Sequence, residues 1–321
     1  MLRMKLITRR AILVTVTAPF IRRSAKAQAH EFQWVNERVN VPDDTRLPKL
    51  SDFAGLQHRK FKSGRNNTEI GYYIYLPPQY ETSPGSRYPV VYTLHGAPTG
   101  SERGGAGAVR WLDPAIRAGR VPPMIYVFPN GGKLPFHDLP GSFAETALVK
   151  ELIPHIDQNY RTIARRESRG LEGMSFGGRA TARLLFKYPE LFSSGVAISA
   201  GYQHEKNISL HYGEDVQVNV LTNTGDGLQM RRFQHVFEAG DNTYDAARLY
   251  AKNRRDHTRI LVVVGTKDAN YDGTLDWMRH LDSLDIKYEK IIIPDVGHDY
   301  LAIYDTVGDQ VFKFNSNNLL R

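Results

Sequence analysis

Cysteine is absent from the 321 residues. That excludes a thiol nucleophile, a thiolate metal site, a disulfide framework and lipid attachment at a lipobox cysteine. A bilayer-spanning run is lacking too. The apolar stretch Ala11 to Ile21 is about half of what a membrane helix needs. A basic excess is missing from most of the chain. The net charge is +8, but seven basic residues up to Lys26, with no acid before Ala29, hold +7 of it and leave +1. A nucleic-acid binder keeps its basic excess in the folded part, so no nucleic-acid partner is expected, and no stable membrane anchor. There are no internal repeats and no low-complexity tract. The Gly-rich run Ser101 to Gly107 lacks the Gly-Lys-Ser/Thr ending of a phosphate loop.

What remains is ordinary globular composition, 41% hydrophobic and 24% charged, long enough for one large core or two small ones. The first 29 residues read as an export signal. Met1 to Arg10 is basic, Ala11 to Ile21 is apolar, and Ala27-Gln28-Ala29 suits cleavage. Thr8-Arg9-Arg10-Ala11-Ile12-Leu13 resembles a twin-arginine signal, with a general secretory signal as the other reading. Either places the protein in the periplasm or outside the cell. Residues 30–56 read as an irregular lead-in.

The chain is organised around Gly173-Met174-Ser175-Phe176-Gly177. A strand-like run precedes it and an Ala-, Leu- and Arg-rich helical segment follows. Strand, tight turn and helix form the context of a G-x-S-x-G nucleophile elbow, in which small residues flank the serine on both sides. Downstream, Arg259 to Val264 is a strongly apolar strand ending near Asp268, and Ile286 to Ile293 leads to Gly297-His298. Ser175, Asp268 and His298 follow the chain order of an α/β-hydrolase triad. Asp272 is the fallback acid. Asp268 to Gly273 mimics an EF-hand start, but its twelfth position is Arg279 where a bidentate Glu is required, so calcium is rejected. No metal and no cofactor is expected.

Gln57 to Lys62 and Ile70 to Leu76 read as an antiparallel start to the sheet. Tyr88 to Leu94, Met124 to Phe128 and Gly195 to Ser199 read as strands. The loop after the first of these makes the N–H groups of Ala97 and Gly96 candidates for the oxyanion hole, together with that of Phe176. His95 reads as structural. Ser101 to Gly107 reads as mobile and Trp111 to Ala118 as a helix. Phe143 to Tyr160 and Asp299 to Phe314 are helical in pattern. Trp111, His137 and Asp138 are candidate substrate contacts, the last two with a solvated loop pair as the alternative. Residues 201–255 read either as a surface insertion or as a cap that selects substrate, with a helix over Asp245 to Asn253.

Taken together, these segments resemble the esterase family of α/β-hydrolases. That family includes feruloyl and acetylxylan esterases, enterochelin-esterase-like proteins, S-formylglutathione hydrolases and mycolyltransferases. The matching segments are Tyr88 to Gly96, Lys150 to Asp157, Gly173 to Gly178, Tyr188 to Phe192, Gly265 to Asp268 and Gly297-His298. Phe176 stands where the family commonly has methionine. The resemblance implies an α/β fold: a mostly parallel sheet with helices on both faces, as a single domain over 57–321. It implies Ser175 as nucleophile, Asp268 as acid and His298 as base, acting on aryl or carbohydrate-linked esters. Siderophore-lactone hydrolysis, acyl transfer to a sugar and non-catalytic carbohydrate binding are the alternatives. The oligomeric state is left open.

Overall fold

The computed structural model describes residues 32–35, 49–96, 101–211, 214–224, 227–253 and 257–320. The export signal read over 1–29 and the oxyanion candidate Ala97 lie outside the described residues. The elements run β1 (Leu56–Ser63), β2 (Thr68–Tyr75), α1 (Gln79–Thr82), β3 (Val90–Leu94), α2 (Glu102–Ala106), α3 (Val109–Arg117) and β4 (Ile125–Pro129). A small hairpin of β5 (Asp138–Leu139) and β6 (Ser142–Phe143) follows, then α4 (Ala144–Thr146) and α5 (Ile153–Asn159) joined by a π-helical segment (Ala147–Leu152). Next come β7 (Arg169–Met174), α6 (Phe176–Lys187), β8 (Ser194–Ile198), α7 (Tyr202–Leu210), β9 (Asp215–Thr224), β10 (Gly227–Val236) and α8 (Thr243–Asn253). The last are β11 (Arg259–Gly265), α9 (Tyr271–Ser283), β12 (Glu289–Ile293) and α10 (Tyr300–Asn318).

Eight strands form one sheet in the order β1-β2-β4-β3-β7-β8-β11-β12. β1 and β2 pair antiparallel, as does β2 with β4, and the rest are parallel. The parallel strands are apolar and β-branched because both of their faces are covered. Their side chains alternate between two cores. Val90, Tyr92 and Leu94 enter one with Ile125, Val127, Ala197 and Val262. Val91 enters the other with Tyr126, Phe128, Val196, Ile198 and Val263. Helices α5, α6, α8 and α9 cover the first face, and α3 and α10 cover the second. This is the expected mostly parallel sheet with an antiparallel start.

One local expectation changes, and two further segments gain contacts with the body. Ser101 to Gly107 is not a loose loop but carries α2, with Ser101 and Glu102 fully buried. Glu102 accepts from Asn130 Nδ2 at 2.9 Å and lies 3.2 Å from His58 Nε2. The glycines let the helix close in, as Gly105 shows: a Cβ there would sit 3.2 Å from the Thr93 carbonyl oxygen. In the lead-in, Phe32 is buried, and Gly71 N–H donates to the Trp34 carbonyl at 2.8 Å. Residues 201–255 are not a simple surface insertion. The Tyr202 ring stacks on Trp277 at 4.2 Å, and Tyr250 of α8 packs on Phe186 of α6. Both flanking helices therefore belong to the body, and among the described residues β9 and β10 form a two-stranded sheet of their own.

Candidate active site

The elbow exists because the glycines allow it. Ser175 has φ 59 and ψ −117, a conformation costly for a residue with a Cβ. A Cβ on Gly173 would lie 2.5 Å from the Gly177 carbonyl carbon, and one on Gly177 would collide with the backbone carbonyl of Leu94. Neither neighbour can yield, because both are main chain. Gly177→Ala is expected to destabilise the fold by more than about 3 kcal/mol, the upper end for ordinary overpacking. Chemical denaturation of the soluble fraction measures it. Ser175 is half-buried, at the N-terminus of a 12-residue helix, α6. The partial positive charge of that end favours a developing oxyanion.

The neighbouring turns are laced together where the parallel strands end. Ser175 N–H donates to the Ile198 carbonyl at 2.9 Å. Asn270 Nδ2 donates to the Ser199 carbonyl at 2.9 Å, and Asn270 N–H donates to Asp268 Oδ1 at 2.8 Å. Lys267 N–H reaches the Val296 carbonyl at 2.9 Å, which joins the Asp268 turn to the loop carrying His298. His298 Nδ1 then lies 3.0 Å and 3.1 Å from the two oxygens of Asp268. The Asp268 side chain is fully buried and that of His298 is 35% exposed. Burial works to raise the Asp268 pKa, but the hydrogen bonds from His298 and Asn270 N–H outweigh it and hold the carboxyl below its ordinary value. An ionised carboxylate holds the Nδ1 proton and leaves Nε2 free to accept one. Asp272 is exposed in the first turn of α9, away from this pairing. Ser175 and His298 form no hydrogen bond in this conformation; contacts of this kind commonly close around substrate.

Gly96 runs against the nucleophile. A Cβ there would sit 2.8 Å from the Met174 carbonyl oxygen and 3.1 Å from Ser175 Cβ. Phe176 opens α6, so its N–H has no intrahelical acceptor. His95 is structural: Nε2 accepts from Gly131 N–H at 2.9 Å, Nδ1 lies 3.2 Å from the Gly96 carbonyl, and burial lowers its pKa to about 4.

The three candidate substrate contacts are engaged in packing. Trp111 Nε1 donates to Asp305 at 2.7 Å and its ring meets Tyr304 at 5.4 Å, joining α3 to α10. Asp138 accepts from Thr146 N–H at 3.0 Å and from its hydroxyl at 2.5 Å. His137 is 4% exposed, so it belongs to no solvated pair. It lies in a buried polar seam on α6. Arg179 Nε and His137 Nε2 each stand 3.6 Å from Glu205 Oε1, while Glu205 Oε2 accepts from Thr243 N–H at 3.0 Å. One turn on, Arg183 pairs with Glu145 and donates to the Phe136 carbonyl. The i, i+4 spacing of Arg179 and Arg183 was the available signal, but sequence does not show that their face is buried.

Burial works to raise the Glu205 pKa; His137, Arg179 and Arg183 more than offset it, down to about 2. A depressed carboxylate contributes stability above its ordinary 4.5 that is lost as pH falls toward about 2. Glu205→Gln is expected to flatten that acid limb, read as melting temperature against pH. Among the described residues no group of three His, Asp or Glu side chains is placed to hold a metal, and no helix is long and apolar enough to cross a membrane.

Comparison with known families matches residues 63–284 to the model described as "Putative esterase". The chain belongs to this family. The matched span holds Ser175 and Asp268 and stops before His298. Esterase MT1326 of Mycobacterium tuberculosis is 28% identical over 225 residues, covering 66% of this chain and 46% of that protein. An endo-1,4-beta-xylanase/feruloyl esterase of Xylanibacter ruminicola is 33% identical over 141 residues, covering 40% of this chain and 19% of that one. The match thus spans less than half the length of either relative. Among solved structures, a ferulic acid esterase superposes with a TM-score of 0.62 at 21% identity, covering 82% of this chain and 98% of its own. At that identity the likeness is one of fold, and the fold is the α/β-hydrolase fold.

Proposed function

We propose that the protein is a serine carboxylic-ester hydrolase working through an acyl-enzyme. The observation that carries this is the buried Asp268 carboxylate on His298 Nδ1, at the C-terminal ends of the parallel strands, where Ser175 sits in a strained elbow. In the proposed reaction, His298 Nε2 takes the Ser175 proton as Oγ attacks the ester carbonyl. The N–H of Phe176, with that of Ala97 or Gly96, holds the oxyanion. The tetrahedral centre collapses, His298 returns the proton to the leaving alcohol, and an acyl-serine remains. Water, deprotonated by the same imidazole, then releases the acid.

The substrate class is an aryl or carbohydrate-linked ester of feruloyl or acetyl type. Family membership and the names of the Xylanibacter relative and of the superposed structure support that class. Cleavage of the signal after about Ala29 would deliver the 57–321 domain to the periplasm or the medium, where such esters occur. The test is an ester panel on mature protein: methyl ferulate, acetylated xylan, a catecholate trilactone and p-nitrophenyl acetate, with and without trehalose or glycerol. Methyl ferulate or acetylated xylan should turn over fastest. Preference for the trilactone would reassign the substrate, and acylated sugar would reassign the acceptor. No turnover together with no fluorophosphonate labelling would leave a non-catalytic binding protein.

A further inference from the structure

Glu172 lies on β7, three residues before Ser175, and is fully buried. The chemistry above does not use it. A carboxyl in that position is costly unless its oxygens are satisfied, and here they are. Tyr304 Oη donates to Oε1 at 2.5 Å, and Asn315 Nδ2 donates to Oε2 at 3.1 Å. Tyr126 Oη on β4 reaches Oε2 at 3.5 Å, the limit of a hydrogen bond. Burial raises the carboxyl to about 7 against the pull of these donors.

Both short bonds come from one element. Tyr304 and Asn315 lie on the same face of α10, roughly three turns apart. Asn315 Oδ1 in turn accepts from Ser194 Oγ of β8 at 3.0 Å. Helix α10 begins at Tyr300, capped by the Asp299 side chain, which accepts from Leu301 and Ala302 N–H. His298 is the residue before that cap. The imidazole therefore hangs on the N-terminal end of α10, while the nucleophile hangs on the C-terminal end of β7. The Asp268 hydrogen bond orients the ring about Nδ1, but ring orientation alone does not set its distance from Oγ.

We propose that Glu172 is a positioning residue: by clamping α10 to β7 through Tyr304 and Asn315, it sets where the His298 imidazole stands relative to the Ser175 hydroxyl. This rests on the esterase reading. A shift of about 1 Å between reacting groups costs on the order of 100-fold in rate, so the clamp acts on kcat. A leucine in this place would fill the volume without a polar network to satisfy, and would leave α10 free to slide on β7.

The test compares Glu172→Ala, Glu172→Gln, Tyr304→Phe and the Glu172→Ala/Tyr304→Phe pair, assayed well below each melting temperature. Ile156→Ala on α5, fully buried in the opposite core, is the stability control. Glu172→Ala should lower kcat roughly 10- to 100-fold with KM near wild type. Tyr304→Phe should lower it less, and the double variant should be no worse than Glu172→Ala. Gln keeps a carbonyl for Tyr304 but turns an NH₂ toward Asn315 Nδ2, itself a donor, so it should restore kcat only in part, to between Glu172→Ala and wild type. Ile156→Ala should melt earlier and keep its kcat. A Glu172→Ala enzyme that melts earlier but turns over like wild type would overturn the clamp. Should that variant not fold, wild-type kcat in Tyr304→Phe overturns it equally. A wild-type protein that hydrolyses no ester brings down the esterase reading, and the clamp with it.

Discussion

Ser175→Ala should lower kcat/KM for any accepted ester by roughly 10⁴- to 10⁶-fold, the loss seen when a nucleophile is removed from a unit that works together. The reasoning is geometric. The elbow places Ser175 in a positive-φ conformation at the head of α6, and the turn around it is held by main-chain contacts. Alanine keeps the Cβ and loses only Oγ, so the fold should survive with an unchanged melting temperature. Residual turnover then reflects the N–H groups acting on water. The same variant should not react with a fluorophosphonate, whereas wild type should label once per chain. Wild-type turnover of p-nitrophenyl acetate by Ser175→Ala would remove this serine from the reaction.

The second large effect is expected at the acid. Asp268→Asn should cost roughly 10³- to 10⁴-fold in kcat, as when a triad carboxylate becomes an amide. The hydrogen-bond pattern dictates the sign. Asn270 N–H donates to Oδ1 at 2.8 Å, so an amide at position 268 keeps its oxygen there. Its NH₂ group then faces His298 Nδ1, which must become an acceptor. The ring proton moves to Nε2, the atom that must be free to take the serine proton. Nucleophile labelling should slow in parallel, while KM changes little. Asp272→Asn, an exposed change in the first turn of α9, should leave both near wild type. The reverse result, loss at position 272 and none at 268, would move the acid to Asp272.

Much of the architecture was legible because it depends on short-range pattern. Val90 to Leu94, Ile125 to Phe128 and Arg259 to Val264 are apolar, β-branched runs that suit only a buried parallel strand. The spacing of Gly173, Gly177 and Gly178 around Ser175 announced a turn too tight for side chains. Asp268 and His298 stood out because each closely follows such a strand. The helix over Asp245 to Asn253 was also readable, and α8 covers it.

Other features were hidden for one physical reason. A charged side chain is compatible with solvent in any sequence, and only its partner shows that it is buried. Ser101 to Gly107 looked like a loose Gly-rich loop because His58 and Asn130, which meet Glu102, lie on other elements. His137 looked like a solvated residue because Arg179 and Glu205 are distant in the chain.

The sequence by itself determined the order of the strands along the chain, the elbow, and which serine, acid and histidine to consider, because periodicity and glycine spacing are local properties. Only the tertiary structure decided that His298 meets Asp268 rather than Asp272, that Trp111 and Asp138 are engaged in packing, and that Glu172 bridges β7 to α10. Those outcomes depend on which distant surfaces are brought within hydrogen-bonding distance, and buried polar groups accept only partners that satisfy them.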